Sequence, residues 1–460
     1  MTRQREHWGT HLGFMLAAAG SAIGLGTLWK FPYVTGQNGG GLFVLIYIFC
    51  TFFIGIPVFI AELILGRRAQ RGAVGIFIAL GHSSGLWKGV GWLGVLTSFI
   101  LISYYSVVAG WGLNYTLMSL NQFYQGKSAQ EITAIFNTFV SSGDIVLFWH
   151  CLFMALNIGV VYQGIRHGVE YWSKFMTMSL LAMLVVLLAY SFTLEGWGQA
   201  AHFLFFPDYS EFRPSGVIEA LGLAFFTLSL GQGIMLTYGS YMRSTEDIPK
   251  TAAIIGVMII AVSLMAGMTI FPIIFSFGFE PASGPGLVFQ TLPLLFGQLP
   301  GALLVSTLFF TLFSFTALTS SIAMLEVLVA NFMDLEGWSR QKSVLVAGIG
   351  ALIFGIPSAL SFSGGIFNNW PAIYGKTFFD TMNDLVSIWM LPIGGLLTAL
   401  FVGWVLDKEI SRDEFIEGST WGKLWKPWMF FMRWVTPVAI VAIILQQAGF
   451  LDIDQLFGKV

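Results

Sequence analysis

Residues 20–32 read GSAIGLGTLWKFP and lie inside an apolar run that is long enough to form a helix. Three glycines fall within the seven positions from Gly20 to Gly26, and Lys30 follows them. Glycine in a helix interior costs about 1 kcal/mol relative to alanine, so this stretch weakens a helix at its centre. We therefore predict two helical halves with an interruption between them.

The composition of the chain indicates an integral membrane protein. Of its 460 residues, 56% are hydrophobic and only 10% are charged, which lies outside the usual range of soluble domains. The opening MTRQREHW runs into the first apolar window without a small-residue cleavage site, so we expect no cleaved signal peptide. A span needs about 20 apolar residues, and we predict an all-α protein with one transmembrane domain (1–460) and eleven spans, at 12–36, 41–65, 89–120, 145–163, 172–194, 215–242, 251–279, 301–333, 342–362, 376–406 and 429–450.

The distribution of Lys and Arg predicts the orientation. If the N-terminus is inside the cell, seventeen of these residues fall in inside segments and four, Lys127, Arg213, Lys376 and Lys459, fall outside. Because cytoplasmic loops accumulate positive charge, we expect a cytoplasmic N-terminus in the cell (inner) membrane. The net charge of -2 gives no reason to expect a nucleic acid partner. Cys50 and Cys151 lie in apolar spans, where we expect no disulfide.

A second glycine-rich interruption, SLGQG at residues 229–233, lies in the sixth predicted span. If spans one to five (about 10–195) and six to ten (about 215–406) are two halves, each half begins with a broken helix, and 429–450 is an extra helix. In lipid, a broken helix is tolerated only where it faces protein or a water-filled cavity. Paired breaks are typical of inverted-repeat transporters, whereas the alternative is that small residues only permit close helix packing.

Three stretches of the chain resemble the neurotransmitter:sodium symporter family. Residues 5–43, REHWGTHLGFMLAAAGSAIGLGTLWKFPYVTGQNGGGLF, resemble its first helix and the following loop. FFTLSLGQGIMLTYGSY at 225–241 resembles its unwound sixth helix, and ALTSSIAMLE at 317–326 resembles its eighth. The resemblance covers the chain apart from a twelfth helix that many members have. It implies helices one and six unwound at mid-membrane and a sodium-coupled importer of a small amino acid that works by alternating access.

The helix breaks suit a substrate with a carboxylate. Amides at Leu25 and Gly26 begin the outer half of the first span, where the helix dipole favours an anion. The resemblance adds the hydroxyl of Tyr105 as a further donor to that carboxylate. Monoamine carriers of the family have an aspartate where this chain has Gly24, so its absence favours a substrate with its own acidic group.

The resemblance assigns the remaining parts of the substrate to other positions. Gln232 stands where many amino acid carriers of the family have phenylalanine, and it either turns into the vestibule or binds a polar group of the substrate. The amino group would meet the carbonyls of Ala22, Phe226 and Thr227 and the hydroxyl of Ser229, Phe226 would also cover the pocket from outside, and the pocket would be completed by Leu101, Gln232, Ser320 and Met324.

Sodium is a hard cation that prefers oxygen ligands. The resemblance places one ion among the carbonyls of Gly20, Ile23 and Thr316 and the hydroxyls of Thr319 and Ser320. The alternative is that these hydroxyls only bond to the preceding helical turn.

A second sodium site is weakened in this sequence. By resemblance its ligands would include Ala22 and Thr227. Thr27 and Ile259 stand where the family has two asparagines, and of these only Thr27 can still offer an oxygen. We do not expect chloride to bind, because its site also lacks ligands. Tyr47 and Ser263 match its ligand positions, whereas Leu223 and Ile259 replace the amide side chains.

Charged residues on both sides of the breaks resemble the gates of the family. The alternative for each is an ordinary solvated charge at the membrane interface. On the inside the gate would be Arg5 with Asp334, above Trp8 and Tyr241, and on the outside Lys30 would face Asn383, with Asp384 one residue further on.

The sequence is compatible with other function classes. A sodium-coupled carrier of a related carboxylate- or sulfonate-bearing amine, or an uncoupled or proton-linked facilitator, would share these features. Glu62 resembles a glutamate that braces the unwound sixth helix, and a coupled proton there is the alternative. An intramembrane enzyme is disfavoured, because we find no HExxH motif and expect the histidines near span ends, away from serine partners.

Overall fold

The structure is a computed structural model that describes residues 5–81, 85–209, 213–279, 286–364, 367 and 369–457. Within these ranges the regular secondary structure is helical, apart from an isolated bridge between Gly40 and Pro207, which confirms the predicted fold class. Nine helices of the described part are long and apolar enough to cross a membrane: Gly41–Ala69, Gly85–Leu120, Gly143–Tyr162, Ile165–Ser191, Ile248–Ser276, Ala302–Glu336, Arg340–Ala359, Phe378–Val405 and Gly422–Gln447.

The two predicted breaks are both present. The first span consists of His11–Ala22 and Gly26–Gln37, which bend by 49° relative to each other. The sixth span consists of the short helices Gly216–Thr227 and Ile234–Gly239, joined by an irregular segment. With the nine continuous helices, these two broken spans account for the eleven that the sequence predicts, and we number the spans in chain order.

The predicted start of the eleventh span, residue 429, was wrong, because this span begins at Gly422, and so was that of the fifth span, residue 172. The helix begins at Ile165 with a π-helical turn that includes the charged residues Arg166 and Glu170. These charges are accommodated because they hold the segment before the first span. Arg166 Nε donates to the carbonyl of His7 at 3.0 Å, and Glu170 accepts from the amides of Gly9 and Thr10 at 2.6 and 3.1 Å.

The third span (Gly85–Leu120) and the eighth (Ala302–Glu336) pack against each other over much of their length and lie beside the broken spans. One face of the third span carries Gly94, Ser98, Leu101 and Tyr105, because these positions are three or four residues apart. The other described helices are short connecting ones: Ala73–Leu80, Ala129–Ser141, Trp197–Phe205, Leu287–Thr291 with Leu292–Phe296, Trp370–Tyr374, Lys408–Ile416 and Ile453–Phe457.

Candidate functional site

The break in the first span redirects its backbone hydrogen bonds. The helix ends at Ala22, and the φ of -75° and ψ of 75° of the next residue, Ile23, are not helical. The amide of Gly24 then donates to the carbonyl of Ala22 at 2.9 Å, and the amide of Leu25 donates to the hydroxyl of Tyr105 at 3.3 Å. Tyr105 and Leu25, which the sequence predicts at one end of the substrate, are therefore in direct contact.

The carbonyl of Ser21 joins three spans at this break. It accepts hydrogen bonds from the hydroxyl of Ser229 in the sixth span at 3.1 Å and from that of Ser320 in the eighth at 2.9 Å. All three residues are buried. Sequence reasoning missed Ser21, because a backbone carbonyl leaves no signal in the residue type. The two serines that donate to this carbonyl, Ser229 and Ser320, were both predicted site residues.

Two glycines with positive φ shape the break in the sixth span. Gly231 and Gly233 have φ of 76° and 79°, a region that glycine adopts without strain. The amide of Gly231 donates to Glu62 Oε1 at 2.8 Å, which is the bracing contact expected of Glu62. Ser98 Oγ donates to the carbonyl of Gln232 at 2.6 Å. The second and third spans thus satisfy backbone groups that the break releases.

The first, third and eighth spans approach closely at Gly24. A Cβ atom placed on this glycine would lie 2.7 Å from Ser320 Oγ and 3.4 Å from the hydroxyl of Tyr105. Two residues further on, at Gly26, the first span approaches the sixth, because a Cβ there would lie 2.7 Å from the ring of Phe226. A larger residue at Gly24, such as an aspartate, would therefore require the side chain of Ser320 to move.

The remaining predicted pocket residues lie beside this cluster. Leu101 and Met324 are buried, one helical turn from Tyr105 and Ser320 respectively. Gln232 is 2% exposed, so in this structure it does not turn into an open vestibule.

The residues predicted to hold the first sodium ion also come together. A Cβ on Gly20 would lie 3.4 Å from Cβ of Thr319, so the first and eighth spans touch here. Thr319 Oγ1 donates to the carbonyl of Thr316 at 2.9 Å, and Ser320 Oγ is bound to Ser21 as described above. The hydroxyl of the next residue, Ser321, turns away and donates to Asn157 Oδ1 at 2.6 Å.

The residues of the weakened second sodium site have their hydroxyls engaged. Thr27 Oγ1 donates to the carbonyl of Gly24 at 2.9 Å, and Thr227 Oγ1 donates to the carbonyl of Leu223 at 2.9 Å. The hydroxyl of Tyr47 lies 3.0 Å from Thr227 Oγ1. Ile259 is fully buried and offers only an aliphatic side chain.

The residues of the predicted inner gate are in contact with one another. Arg5 Nη1 lies 2.6 Å from Asp334 Oδ2, and the guanidinium sits 4.8 Å from the ring centre of Tyr241. Trp8 is 4% exposed and donates through Nε1 to the carbonyl of Tyr238 at 3.0 Å. Aromatic and charged side chains thus fill the space between the helix breaks and the side of the protein that carries Arg5.

A buried ion pair lies behind this gate. Tyr241 donates its hydroxyl hydrogen to Glu326 Oε1 at 2.6 Å, and Arg340 Nη2 lies 2.5 Å from Glu326 Oε2. Glu326 is completely buried and Arg340 nearly so. The sequence singles out Glu326 as an ionisable group in a span, but its partner Arg340 was missed because it lies at the start of the next span.

The predicted outer gate has a different arrangement. Lys30 Nζ sits 4.7 Å from the ring centre of Phe226, so it covers a predicted pocket residue and does not pair with Asn383. Asp384 forms an ion pair with Lys376, which lies in the loop before the tenth span. Through this hydrogen bond and its charge, Asp384 raises the pKa of Lys376.

One expectation about the histidines was wrong. His150 lies within the fourth span and is fully buried, with Nδ1 2.9 Å from Ser106 Oγ and Nε2 3.0 Å from the carbonyl of Leu352. This is a serine–histidine contact inside a span. Since a carbonyl only accepts, Nε2 donates to Leu352, and Ser106 Oγ also lies 3.1 Å from the carbonyl of Ser103. The contact links three spans and has no access to solvent, so it acts as a polar interhelical contact.

Comparison with known proteins agrees with this architecture. A family model described as "Sodium:neurotransmitter symporter family" matches residues 5–140 and 122–454. The chain belongs to this family. It is 39% identical over 454 residues to the sodium-dependent transporter YhdH of Bacillus subtilis, covering 98% of this chain and 100% of YhdH. It is 31% identical over 455 residues to a sodium-dependent transporter of Haemophilus influenzae, covering 96% and 98% of the two chains.

A solved structure shares the fold along almost the whole length. The crystal structure of MhsT in complex with L-phenylalanine superimposes with a TM-score of 0.87 at 39% identity, covering 96% of this chain and 100% of MhsT. The chain is therefore a multi-pass, sodium-dependent transporter of this family, and its broken first and sixth spans belong to the shared fold.

Proposed function

We propose that the protein imports a small amino acid together with sodium by alternating access. The observation that carries this proposal is the junction at Ser21, where the broken first span meets hydroxyls of the sixth and eighth spans. A broken helix inside a membrane is expected only at a cavity or protein-lined site. The L-phenylalanine bound to MhsT supports an amino acid as the substrate class.

The substrate carboxylate would meet the amides of Leu25 and Gly26 and the hydroxyl of Tyr105. In the present geometry Leu25 and Tyr105 bond to each other, so each already points to the place where the carboxylate would insert. The glycine at position 24 supports a substrate with its own acidic group, because the protein supplies no carboxylate at this position. The amino group would meet the carbonyls of Ala22, Phe226 and Thr227 and the hydroxyl of Ser229.

One sodium ion would bind beside the substrate. Its ligands would be the carbonyls of Gly20, Ile23 and Thr316 and the hydroxyls of Thr319 and Ser320. The contact between Gly20 and Thr319 supports this assignment, because it brings both spans within reach of one ion. Thr27 and Thr227 would form a weaker site with Ala22, since Ile259 adds no oxygen. Chloride is not part of the proposed cycle.

Transport requires that the two gates open in turn. We place the N-terminus in the cytoplasm, so the pair Arg5–Asp334 would close the cytoplasmic side in the state seen here. Release of sodium and substrate to the cell interior would require this pair and the underlying Trp8 and Tyr241 to separate. Phe226 and Lys30 would cover the pocket on the outer side.

Uptake into proteoliposomes tests this proposal. With an inward sodium gradient, a labelled amino acid should accumulate above its external concentration, and replacing external sodium by choline should abolish accumulation. A facilitator would instead equilibrate the amino acid regardless of sodium, which would contradict the proposal. The same assay should include a sulfonate-bearing amine. If this compound is taken up in preference to every amino acid, the substrate belongs to the sulfonate-bearing amines.

A further inference from the structure

Gln232 is a buried polar residue whose side chain is incompletely satisfied. It lies in the irregular segment of the sixth span and is 2% exposed. Its Oε1 atom is buried and has no hydrogen-bond partner in the described part of the structure. Buried polar atoms in native proteins are almost always hydrogen-bonded, so an unpaired acceptor points to a missing donor.

The third span connects Gln232 to the proposed carboxylate site. Ser98 Oγ donates to the carbonyl of Gln232 at 2.6 Å. Two turns further along the same helix face, Tyr105 meets the amide of Leu25 at 3.3 Å. Seven residues of α-helix separate Ser98 from Tyr105, which corresponds to about 10 Å. Leu101 lies between them on this face.

The eighth span makes the same connection from the opposite side. Ser320 lies against Gly24, where a Cβ would be 2.7 Å from its hydroxyl. Val327 lies against the residue after Gln232, because a Cβ on Gly233 would be 3.2 Å from Val327 Cγ1. Ser320 and Val327 are also about 10 Å apart along their helix, and Met324 lies between them.

In the proposed site these two helix faces would line one space, with the proposed carboxylate and amino-group positions at one end and Gln232 at the other. Leu101 and Met324 make the middle of this space apolar. A substrate held at the first end would therefore direct its side chain past two apolar residues toward an unpaired acceptor.

We propose that the transported amino acid carries a hydrogen-bond donor at the end of an apolar side-chain stem, and that this N–H or O–H bonds to Gln232 Oε1. This inference rests on the proposed substrate site and narrows the substrate class to hydroxyl-, amide-, indole- or ammonium-bearing side chains. A purely apolar side chain, or one that only accepts hydrogen bonds, would leave Oε1 buried and unpaired, which weakens binding.

Matched pairs of amino acids test the inference by competition binding to the detergent-solubilised protein in sodium. The pairs are tyrosine with phenylalanine, homoserine with norvaline, and glutamine with glutamate γ-methyl ester. Each pair has similar size but only its first member has the donor. One of the three pairs will fit the site best. In the wild-type protein the donor-bearing member of that pair should bind about ten- to hundredfold more tightly than its partner without the donor. Equal or weaker binding of the donor-bearing member in every pair would overturn the inference.

The variant Gln232→Met keeps the approximate volume and removes the acceptor. It should bring the affinity ratio of the pair close to one while still binding the apolar member in a sodium-dependent way. Gln163→Met, at an exposed cytoplasmic glutamine, is the control and should keep the wild-type ratio. A preserved ratio in Gln232→Met would overturn the inference, and if that variant does not fold, the wild-type ratios decide. Wild type that binds no amino acid at all in sodium would instead refute the proposed function.

Discussion

Gly24 offers a test of the helix break that needs neither sodium nor substrate. In Gly24→Ala the new methyl group would lie 2.7 Å from Ser320 Oγ, closer than real Cβ contacts, and 3.4 Å from the hydroxyl of Tyr105. The serine side chain must then rotate and lose its bond to the Ser21 carbonyl, which is worth about 1 kcal/mol. Overpacking in a filled interior costs about 1–3 kcal/mol.

The double variant Gly24→Ala/Ser320→Ala separates this overlap from other effects. Alanine also restricts the unfolded chain relative to glycine, by about 0.4–1 kcal/mol, but this contribution is the same with or without the serine and cancels in a double-mutant cycle. Removing Ser320 Oγ relieves the overlap, so the cycle should show a coupling of about 1–2 kcal/mol in favour of the double variant.

Thermal unfolding in detergent, followed by fluorescence, measures this coupling. The double variant should melt at a higher temperature than Gly24→Ala alone. Gly222→Ala is the matched control in the sixth span, because its Cβ would have no neighbour within 4 Å, and its combination with Ser320→Ala should be additive. A double variant that melts below Gly24→Ala would refute the close approach of the first and eighth spans.

Two further predictions concern the inner gate and the ion stoichiometry. Arg5→Ala removes the ion pair with Asp334 and should open the inner side more often. A cysteine introduced by Thr237→Cys, in a background without native cysteines, should then react faster with a thiol reagent. Unchanged labelling in sodium would show that the pair is not a gate. Because Thr27 and Ile259 leave the second ion site short of oxygens, sodium should stimulate uptake with a Hill coefficient of about one, and Thr27→Asn/Ile259→Asn should strengthen sodium binding. A wild-type coefficient approaching two would contradict this.

The sequence predicts the architecture well because apolar length and glycine content act locally. GSAIGLG and SLGQG mark the two breaks, since glycine weakens a helix wherever the helix lies. The start of the fifth span could not be predicted in this way. Its charged first turn is stabilised by Glu170, which holds the amides of Gly9 and Thr10 from a distant part of the chain.

The partners of polar groups at the site were harder to predict than the groups themselves. The resemblance to the family identifies Ser229 and Ser320, but a serine hydroxyl can bond either to its own helix or to another one. In the structure both hydroxyls donate to the carbonyl of Ser21. Likewise Lys30 is a long cation that can stack or pair, and it lies over Phe226 while Asp384 pairs with Lys376.

In the proposed mechanism sodium binds between the first and eighth spans, and two of its side-chain ligands can be removed without changing the backbone. In Thr319→Ala/Ser320→Ala two hydroxyl oxygens are lost, so the sodium concentration for half-maximal amino acid binding should rise by about tenfold or more, because the ion's lost hydration is then less well replaced. Ser321→Ala is the control, since its hydroxyl bonds to Asn157, and it should keep the wild-type sodium dependence. Unchanged sodium affinity in the double variant would contradict the account.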